Sequence, residues 1–390
     1  MDLVYTGETA PAVWLKSIFL AGPSPRSLNV KSWRSEAIIL LEKAGYDGVV
    51  FVPENRSGKT VYEDNYEKSI DWEHQNLYRS DIILFWVPRN LRTMPAFTTN
   101  VEFGLFANSG YVVFGAPPRA TKNRYLKLVC EKFLIPKYDD LASSIKTALE
   151  KIGDGAPRSD GERDIPLLVW RRSSFQEWYL ALRKAGNRLD YAKLVYSCRP
   201  KEQFVYSWII EAKIFIGSEK RHKTNEIVIS RGDISSVVLY RRASNLLDTE
   251  IVLAREFRSP VRNSDGFVWE NPGGSSPNPN IDPLEVAIEE VYEENGLRLD
   301  PKRLAPLGSR QLAATFSAHH AHLFKVELTA EEINWFRSQK GVARGVNLGK
   351  SETGERVYTE VTTIREILEN NLVDWSNLGM IFVALNSNPH

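Results

Sequence analysis

The strongest constraint on the fold lies in the first 153 residues, where short apolar runs alternate with segments of helical periodicity. The apolar runs with the length of a buried strand are residues 17–21, 48–52, 82–87 and 111–114. The segments with helical spacing of apolar residues are 32–44, 72–78, 101–107 and 141–152. This alternation predicts an α/β domain, with a parallel sheet and helices on both faces. Ligands of such sheets bind at the carboxyl ends of the strands.

The length of 390 residues exceeds what one hydrophobic core usually holds, which indicates two domains. Residues 153–163 are rich in glycine, proline and charge, and they have the composition of a linker. Beyond them, strand-like alternation surrounds one long helix at 283–295, so this part is predicted to be an α+β domain. The predicted division is a domain at 1–153, a linker with a connecting helix at 154–199, and a domain at 200–390.

The charge balance excludes some classes of partner. Fifty basic residues against 49 acidic ones give a net charge of +1, which argues against wholesale binding of nucleic acid or a membrane surface. Cys130 and Cys198 are too few for a disulfide scaffold. No apolar run approaches the ~20 residues that span a bilayer, and the first residues lack the pattern of a secretory signal. We therefore expect a cytoplasmic protein that acts on a small molecule.

An acidic helix follows a glycine pair in the C-terminal half. Glu290, Glu293 and Glu294 stand at i, i+3 and i+4, so one helical face carries three carboxylates. Like charges at this spacing destabilise a helix by roughly 0.2–0.5 kcal/mol per pair, so the cluster requires a compensating cation. Carboxylates suit Mg²⁺ or Mn²⁺, and Gly274 lets the backbone approach the ion. We predict these four residues as metal ligands; the alternative is a solvated acidic face.

The sequence around this helix resembles the Nudix box. ENPGG at 270–274, EEVYEENGL at 289–297 and AREFRSP at 254–260 look most like the ADP-ribose and nucleoside diphosphate-sugar pyrophosphatase branch. The resemblance covers about residues 200–390. It implies a Nudix fold and Mg²⁺-dependent hydrolysis of a nucleoside diphosphate derivative such as ADP-ribose. The residues that it implies for catalysis and for substrate binding are Glu293 and Glu294, and Arg255 and Glu270.

Three features depart from the box. Glu289 stands where the box has arginine, and the place of its first glutamate falls near Ile281. ADP-ribose hydrolases commonly carry a further acidic residue in a later loop, where this chain has His319 and His320. His319 is predicted to contact substrate in place of that acid; the alternative is that both histidines are ordinary loop residues. The departures favour nucleotide binding over hydrolysis.

Polar and aromatic residues collect at the predicted strand ends of the N-terminal domain. The candidates for substrate binding are Gly22, Pro23, Arg26, Trp33, Glu54, Trp72, Glu73, Trp86, Arg89, Thr99 and Asn100. Residues 98–100 can cap a helix and offer N–H groups to an anion, and the tryptophans can stack on a base. Glu102 lies in the first turn of that helix, where a carboxylate can attack an anomeric carbon and form a glycosyl intermediate.

Each of these residues also has an ordinary interpretation. Trp86 fits a core position, and Glu54 and Glu73 fit solvated positions. Glu102 alone would be a first-turn glutamate that favours the helix dipole. Asp81 opens a strand at the opposite edge of the sheet and is predicted to be structural.

Taken together, IFLAGPSPR, SWR, GYDGVVFVPE, DWE, SDIILFWVPR and TTNVEFG resemble the nucleoside 2-deoxyribosyltransferase-like family over about residues 15–150. The resemblance implies a Rossmann-like, flavodoxin-like fold, self-association, and either deoxyribosyl transfer or hydrolysis of an N-glycosidic bond. Glu102-Phe103-Gly104 matches the family's ExG motif, whose glutamate is the nucleophile. Many transferases carry an acidic residue just after the third strand, where this chain has WVPR. Arg89, with Arg26, can instead hold a phosphate.

The sequence thus predicts a bifunctional nucleotide-processing enzyme, with catalysis at Glu102 in one domain and a Mg²⁺-dependent Nudix site in the other. Its substrate is a nucleoside or a nucleotide. The rival interpretation is a nucleotide sensor that binds without turnover and carries a degenerate, inactive Nudix domain.

Overall fold

The computed structural model describes residues 1–27, 29–57, 66–200, 204–276, 278, 280–345 and 355–387. Contacts divide the chain into two compact units, Met1–Ser230 (unit 1) and Arg231–His390 (unit 2). Within the described ranges, no helix combines the length and apolar character that crossing a membrane requires.

Unit 1 is built on a parallel sheet. Its strands are β1 (Asp2–Tyr5), β2 (Val13–Trp14), β3 (Ser17–Ala21), β4 (Val49–Val52), β5 (Ile82–Trp86), β6 (Val112–Gly115), β7 (Lys137–Tyr138), β8 (Arg158–Ser159), β9 (Arg188–Cys198), β10 (Ser207–Ile216) and β11 (Arg221–Arg231). Its helices are α1 (Arg34–Lys43), α2 (Tyr66–Arg79), α3 (Phe97–Phe106), α4 (Arg124–Lys132), α5 (Leu141–Ile152), α6 (Leu167–Trp170) and α7 (Ser173–Lys184). The large sheet has the order β1-β4-β3-β5-β6-β7, with parallel pairing, as in Rossmann-like folds.

The strand order fixes where a ligand can bind. After β3 the chain forms β4 on one side of it and then β5 on the other, so the direction of winding reverses between β3 and β5. Phe85 of β5 packs edge-on against Phe103 of α3, which holds that helix against the sheet. In open α/β sheets the crevice at the reversal, outside the carboxyl ends of the strands, is the usual ligand site.

The segment predicted as a linker and connecting helix, residues 154–199, packs into unit 1. Arg158 of β8 is buried, and Leu167, Val169 and Trp170 of α6 join the same core as the large sheet. Strands β9, β10 and β11 form a second sheet, in which β9 and β10 are antiparallel. Trp208 and Ile210 of β10 are fully buried in that core. Along the chain, the boundary between the two compact units falls between Ser230 and Arg231. The sequence predicted the start of the second domain at residue 200.

Unit 2 is a mixed sheet covered by helices. Its strands are β12 (Ile234–Arg241), β13 (Glu250–Phe257), β14 (Phe267–Glu270), β15 (Gly273–Gly274), β16 (Ala305–Gln311), β17 (His320–Glu327), β18 (Ala343–Arg344) and β19 (Val357–Thr363). Its helices are α8 (Pro283–Asn295), α9 (Ala330–Ser338), α10 (Ile364–Asn370) and α11 (Trp375–Asn386). The order is β16-β17-β12-β13-β19-β18, with β14 beside β13 and β15 beside β12, and β12 runs parallel to β17.

Alternation along β12 builds two cores in unit 2. Val237 and Leu239 pack in one cluster with residues of α8 and α9, whereas Val238 and Tyr240 pack in another with residues of α10 and α11. Side chains alternate between faces along a strand, so these pairs point to opposite sides of the sheet. Unit 2 is therefore a sheet with helices on both faces.

Candidate functional site

Two chain segments approach closely at the reversal point of unit 1. Gly22 follows β3 with a φ of +149°, and a Cβ atom added there would lie 2.2 Å from the backbone oxygen of Trp86. It would also lie 2.9 Å from the ring of Trp33. Only glycine fits this turn, because any side chain would collide with the backbone at the end of β5. The carboxyl ends of β3 and β5 are therefore held closely together at this crevice.

Alanine at Gly22 should lower the free energy of unfolding by about 2–4 kcal/mol, since the unfavourable φ and the collision with Trp86 add. Urea denaturation followed by circular dichroism measures the change. Alanine at Gly104, inside α3, is the matched control: an added Cβ meets nothing within 4 Å, and the better helix propensity of alanine should raise the free energy of unfolding by up to about 1 kcal/mol. Equal stability of both variants would show that the turn is not tightly fixed.

Arg34, the arginine of the SWR motif, was not among the predicted substrate contacts, yet it organises the crevice. Its guanidinium is 1% exposed and donates from Nε to the backbone oxygen of Leu20 at 2.9 Å and from Nη2 to that of Gly22 at 2.6 Å. Its Nη1 donates to Oε1 of Glu54 at 2.7 Å, and the Ser32 hydroxyl donates to the same oxygen at 2.7 Å. Glu54, a predicted substrate contact, therefore pairs with Arg34. Through Arg34 it helps to fix the loop after β3.

Two carboxyl groups meet beside this arginine. Glu102 lies on the buried side of α3 with 7% exposure, and its side chain is hydrogen-bonded to that of Glu73 on α2. Burial and the charge of Glu73 raise the pKa of Glu102 to about 8, although Arg34 opposes the shift. Burial also raises the pKa of Glu73. A hydrogen bond between two carboxyl groups requires a proton on one of them, so the pair shares a proton near neutral pH.

The three predicted stacking tryptophans serve as packing residues. Trp72 lies with its ring centroid 6.2 Å from those of Phe19 and Phe51, and its indole N–H donates to the backbone oxygen of Glu8 at 3.0 Å. Trp33 and Trp86 are each 6% exposed. The Trp33 indole N–H donates to the backbone oxygen of Pro23 at 3.1 Å, so Pro23 anchors the Trp33 ring. Trp33 and Trp86 are therefore buried in the core, and Trp72 is half-buried against Phe19 and Phe51.

Two arginines converge on the first turns of α3. Arg89 is 8% exposed, and its Nη2 donates to Oδ1 of Asn100 at 2.5 Å. Burial lowers the pKa of Arg89. The Arg26 guanidinium lies 5.9 Å from the ring centroid of Phe97, the first residue of α3. Two cations and the positive end of a helix dipole make this corner suited to an anion.

The predicted cap of α3 is shifted along the chain. Residues 98–100 lie inside the helix, which begins at Phe97 after Ala96, and Ala96 takes a left-handed conformation with φ 62°. Thr99 is buried with 3% exposure. Thr99 therefore faces the core, and Asn100 uses its side-chain oxygen on Arg89 rather than on the helix N-terminus.

Unit 1 thus carries a buried, proton-sharing carboxyl pair beside the reversal point of a parallel α/β sheet. Residues 15–120, which include Glu102, match the family described as nucleoside 2-deoxyribosyltransferase like. The N-terminal part of the chain is therefore similar to that family over these residues. No curated protein matches the chain.

Unit 2 gathers carboxylates around its glycine pair. Glu294 accepts a hydrogen bond at 3.1 Å from the backbone N–H of Gly273. Burial, together with the charges of Glu290 and Glu270, raises the pKa of Glu294 well above its ordinary value. Burial and the charge of Glu293 raise the pKa of Glu290 to about 7. A Cβ atom at Gly274 would lie 2.4 Å from Oε1 of Glu290, so a side chain there would displace this carboxylate.

The predicted metal ligands are neighbours, but they do not form a ready ligand set. Among the described residues, no three His, Cys, Asp or Glu side chains are arranged to hold a metal ion. Burial raises the pKa of Glu293, and the charges of Glu289 and Glu355 raise it further. No cation contributes an opposing shift at Glu293, so the repulsion among these carboxylates is not offset there. The donor chemistry of these carboxylates suits a divalent ion.

The other residues of unit 2 that were predicted to bind substrate are bonded to groups of the protein itself. Glu270 pairs with Arg258 at 2.9 Å, and Arg255 pairs with Asp265 at 3.0 Å. His319 shares a hydrogen bond at 2.5 Å between its Nδ1 and the Ser317 hydroxyl. Burial, followed by the charge of Arg231, lowers the pKa of His319. Of these three residues, Glu270 lies near the glutamates of α8, where its charge raises the pKa of Glu294.

Proposed function

We propose that unit 1 breaks the N-glycosidic bond of a nucleoside or nucleotide, with Glu102 as nucleophile. The observation that carries the proposal is the hydrogen-bonded pair of Glu102 and Glu73, buried beside the reversal point of the sheet within the matched family range. A buried carboxylate without a tightly bound cation is poorly solvated and therefore reactive toward an anomeric carbon.

The shared proton gives the two carboxyl groups different roles. When Glu102 is ionised, Glu73 carries the proton. The Glu102 carboxylate bonds to the anomeric carbon while the carbon–nitrogen bond breaks, and the electron pair of that bond leaves with the base. We assign to Glu73 the transfer of its proton to the departing base. Attack on the glycosyl ester by water or by a second base then releases Glu102.

The corner formed by Arg89, Arg26 and the start of α3 favours a substrate that carries phosphate. Arg89 is held by Asn100, and its buried charge is not matched by a carboxylate in any described ion pair. A 5′-phosphate would supply that negative charge in a fork geometry that guanidinium groups recognise well. The proposed substrate is therefore a nucleotide in preference to a nucleoside.

Incubation of the full chain with nucleosides, deoxynucleosides and their 5′-monophosphates tests both parts. Chromatography of the products should show free base, with a larger kcat/KM for the monophosphate of a given base. An added acceptor base distinguishes transfer from hydrolysis. Absence of base release from every substrate would refute the enzyme, and equal kcat/KM values would refute the phosphate preference.

We propose a second, binding function for unit 2, as a Nudix-type unit for a nucleoside diphosphate derivative such as ADP-ribose. The specific support is the glycine pair of β15 held against Glu290 and Glu294 of α8. Glu289, at the place of the box arginine, favours binding without turnover. Activity with Mg²⁺ on ADP-ribose would favour hydrolysis instead.

Mg²⁺ at about 5 mM should raise the melting temperature of the protein by a few degrees at pH 8, because a divalent ion relieves the repulsion among Glu290, Glu293 and Glu294. At pH 6 the effect should shrink, since the raised pKa of Glu290, about 7, leaves that group protonated. Differential scanning calorimetry measures both shifts. Glu290→Gln should reduce the shift at pH 8, whereas Glu285→Gln on the same helix should keep it. An equal shift in both variants would place the ion elsewhere.

A further inference from the structure

Arg34 holds a fixed positive charge at the carboxyl end of β3. Its guanidinium donates to the backbone oxygens of Leu20 and Gly22. From Nη1 it also donates to the Ser24 hydroxyl at 3.0 Å and to Glu54 at 2.7 Å. These bonds use four of the five N–H groups of a guanidinium, so the side chain is locked in one position. The charge is therefore as fixed as the strand end to which it is bound.

The carboxyl pair of Glu102 and Glu73 lies within the field of this charge. Arg34 comes from α1, Glu73 from α2 and Glu102 from α3, so three helices bring one cation to two acids. The charge of Arg34 lowers the pKa of both carboxyl groups, whereas burial raises both. Arg89, from the loop after β5, is a further cation beside α3, and its guanidinium is held by Asn100. Arg34 is therefore the cation that acts most strongly on the pair.

The number of protons on the pair depends on this cation. Two buried carboxyl groups without a cation would both stay protonated near neutral pH, because burial penalises each ionised form. A protonated Glu102 cannot act as a nucleophile. An adjacent cation favours the first ionisation, and the repulsion between two carboxylates then opposes the second. One cation beside two buried acids therefore leaves a single proton on the pair.

We propose that Arg34 is the positioning residue of this pair, and that its fixed charge keeps one carboxyl group ionised while the other retains a proton. The proposal rests on the proposed role of Glu102 as nucleophile. Arg34 acts through Glu102 and Glu73 and needs no contact with the substrate. Glu54 weakens its charge, because this carboxylate pairs with the guanidinium at 2.7 Å. Arg34 and Glu54 together therefore set the pH range in which the site works.

The pH dependence of base release distinguishes this role from a merely structural one. Arg34→Met should move the acid and alkaline limbs of the kcat/KM profile to higher pH by about one unit, because loss of an adjacent cation raises both apparent pKa values of the pair. Arg34→Lys keeps the charge, so the limbs should stay near their native positions, although loss of the planar fork lowers the rate. An Arg34→Met profile that falls equally at every pH would overturn the proposal.

Glu54→Gln tests the same electrostatics with the opposite sign, and it decides the question if Arg34→Met does not fold. Glutamine still accepts hydrogen bonds from Arg34 and Ser32, while the uncompensated guanidinium acts more strongly on the pair. Both limbs should therefore move to lower pH; no shift, or a shift to higher pH, would overturn the proposal. Arg188→Met removes a cation from an exposed pair with Asp190 and is the control. Equal shifts in this control would attribute the effect to net charge and overturn the proposal as well.

Infrared difference spectroscopy of the full chain separates this inference from the proposed function, because it follows the proton without substrate. The difference between the native chain and Glu102→Gln isolates the carboxyl band of the pair. The titration of this band should move to higher pH in Arg34→Met and to lower pH in Glu54→Gln. These shifts without base release from any substrate would refute the proposed reaction but support the electrostatic role of Arg34. An unshifted titration in both variants would overturn that role even if base is released.

Discussion

Glutamine in place of Glu102 should reduce base release by about a thousandfold or more, because the amide cannot form the glycosyl ester. Glutamine keeps nearly the same shape as glutamate, and its amide N–H can donate a hydrogen bond to the Glu73 carboxylate. Single-turnover assays on the full chain measure the loss, and substrate binding by calorimetry should remain within a few-fold. Glu42→Gln, at an exposed position of α1, is the control and should keep full activity.

The same substitution carries a stability signature that distinguishes it from misfolding. The pKa of Glu102 is raised from its ordinary 4.5 to about 8, so the folded chain binds a proton there that the unfolded chain releases. The free energy of unfolding therefore falls as pH rises from about 4.5 to about 8, and it stays low above that range. Glu102→Gln should flatten this slope and be at least as stable as the native chain at pH 8. A less stable variant with residual base release would contradict the assignment.

Base release should follow the proton that the pair shares. It should decline above about pH 8, where the pair of Glu102 and Glu73 loses its last proton and the departing base lacks a donor. Glu73→Gln should remove this alkaline limb and slow the reaction most for the bases that are poor leaving groups. A rate that keeps rising to pH 9 would exclude Glu73 as the proton donor.

The local elements of the first domain could be predicted because each depends on a short run of residues. The apolar runs at 17–21, 48–52, 82–87 and 111–114 correspond to four strands of the parallel sheet. Strand β1 was missed because Asp2–Tyr5 is short and has one buried residue. The reversal point depends on the strand order, which only the structure gives. Glu102 followed from a motif, so the candidate nucleophile was accessible to sequence reasoning.

Pairings between distant residues could not be predicted in the same way. Arg34 reaches Glu54 on another loop, and nothing in the local pattern marks which carboxylate a buried arginine meets. Trp72 has the composition of a stacking residue, yet its neighbours Phe19 and Phe51 come from other elements of the fold. Helical spacing was enough to predict that the carboxylates of α8 share one face. It could not predict that Glu270 pairs with Arg258, because that pairing depends on the tertiary structure.

The largest effect on stability should come from Arg158, in the segment whose composition suggested a linker. The side chains of Arg158 and Asp81 are both 0% exposed, and they join a sheet strand to residues 77 positions away along the chain. Removal of one partner leaves a buried charge without compensation, which costs about 3–5 kcal/mol. Arg158→Ala should therefore lower the free energy of unfolding by about that amount, measured by urea denaturation of the full chain.

Two comparisons decide whether the buried charge is the cause. Lys127→Ala breaks the exposed pair of Lys127 and Asp139, and it should cost no more than about 1 kcal/mol, because solvent screens that pair. The double variant Asp81→Leu with Arg158→Met removes both charges together. It should be more stable than Arg158→Ala, since the main penalty is an uncompensated charge rather than a lost attraction. The pair lies at the amino ends of the strands, so base release per folded molecule should be unchanged at low temperature. A double variant no more stable than Arg158→Ala would instead attribute the effect to lost packing and to the unsatisfied N–H groups of Ser17 and Leu167.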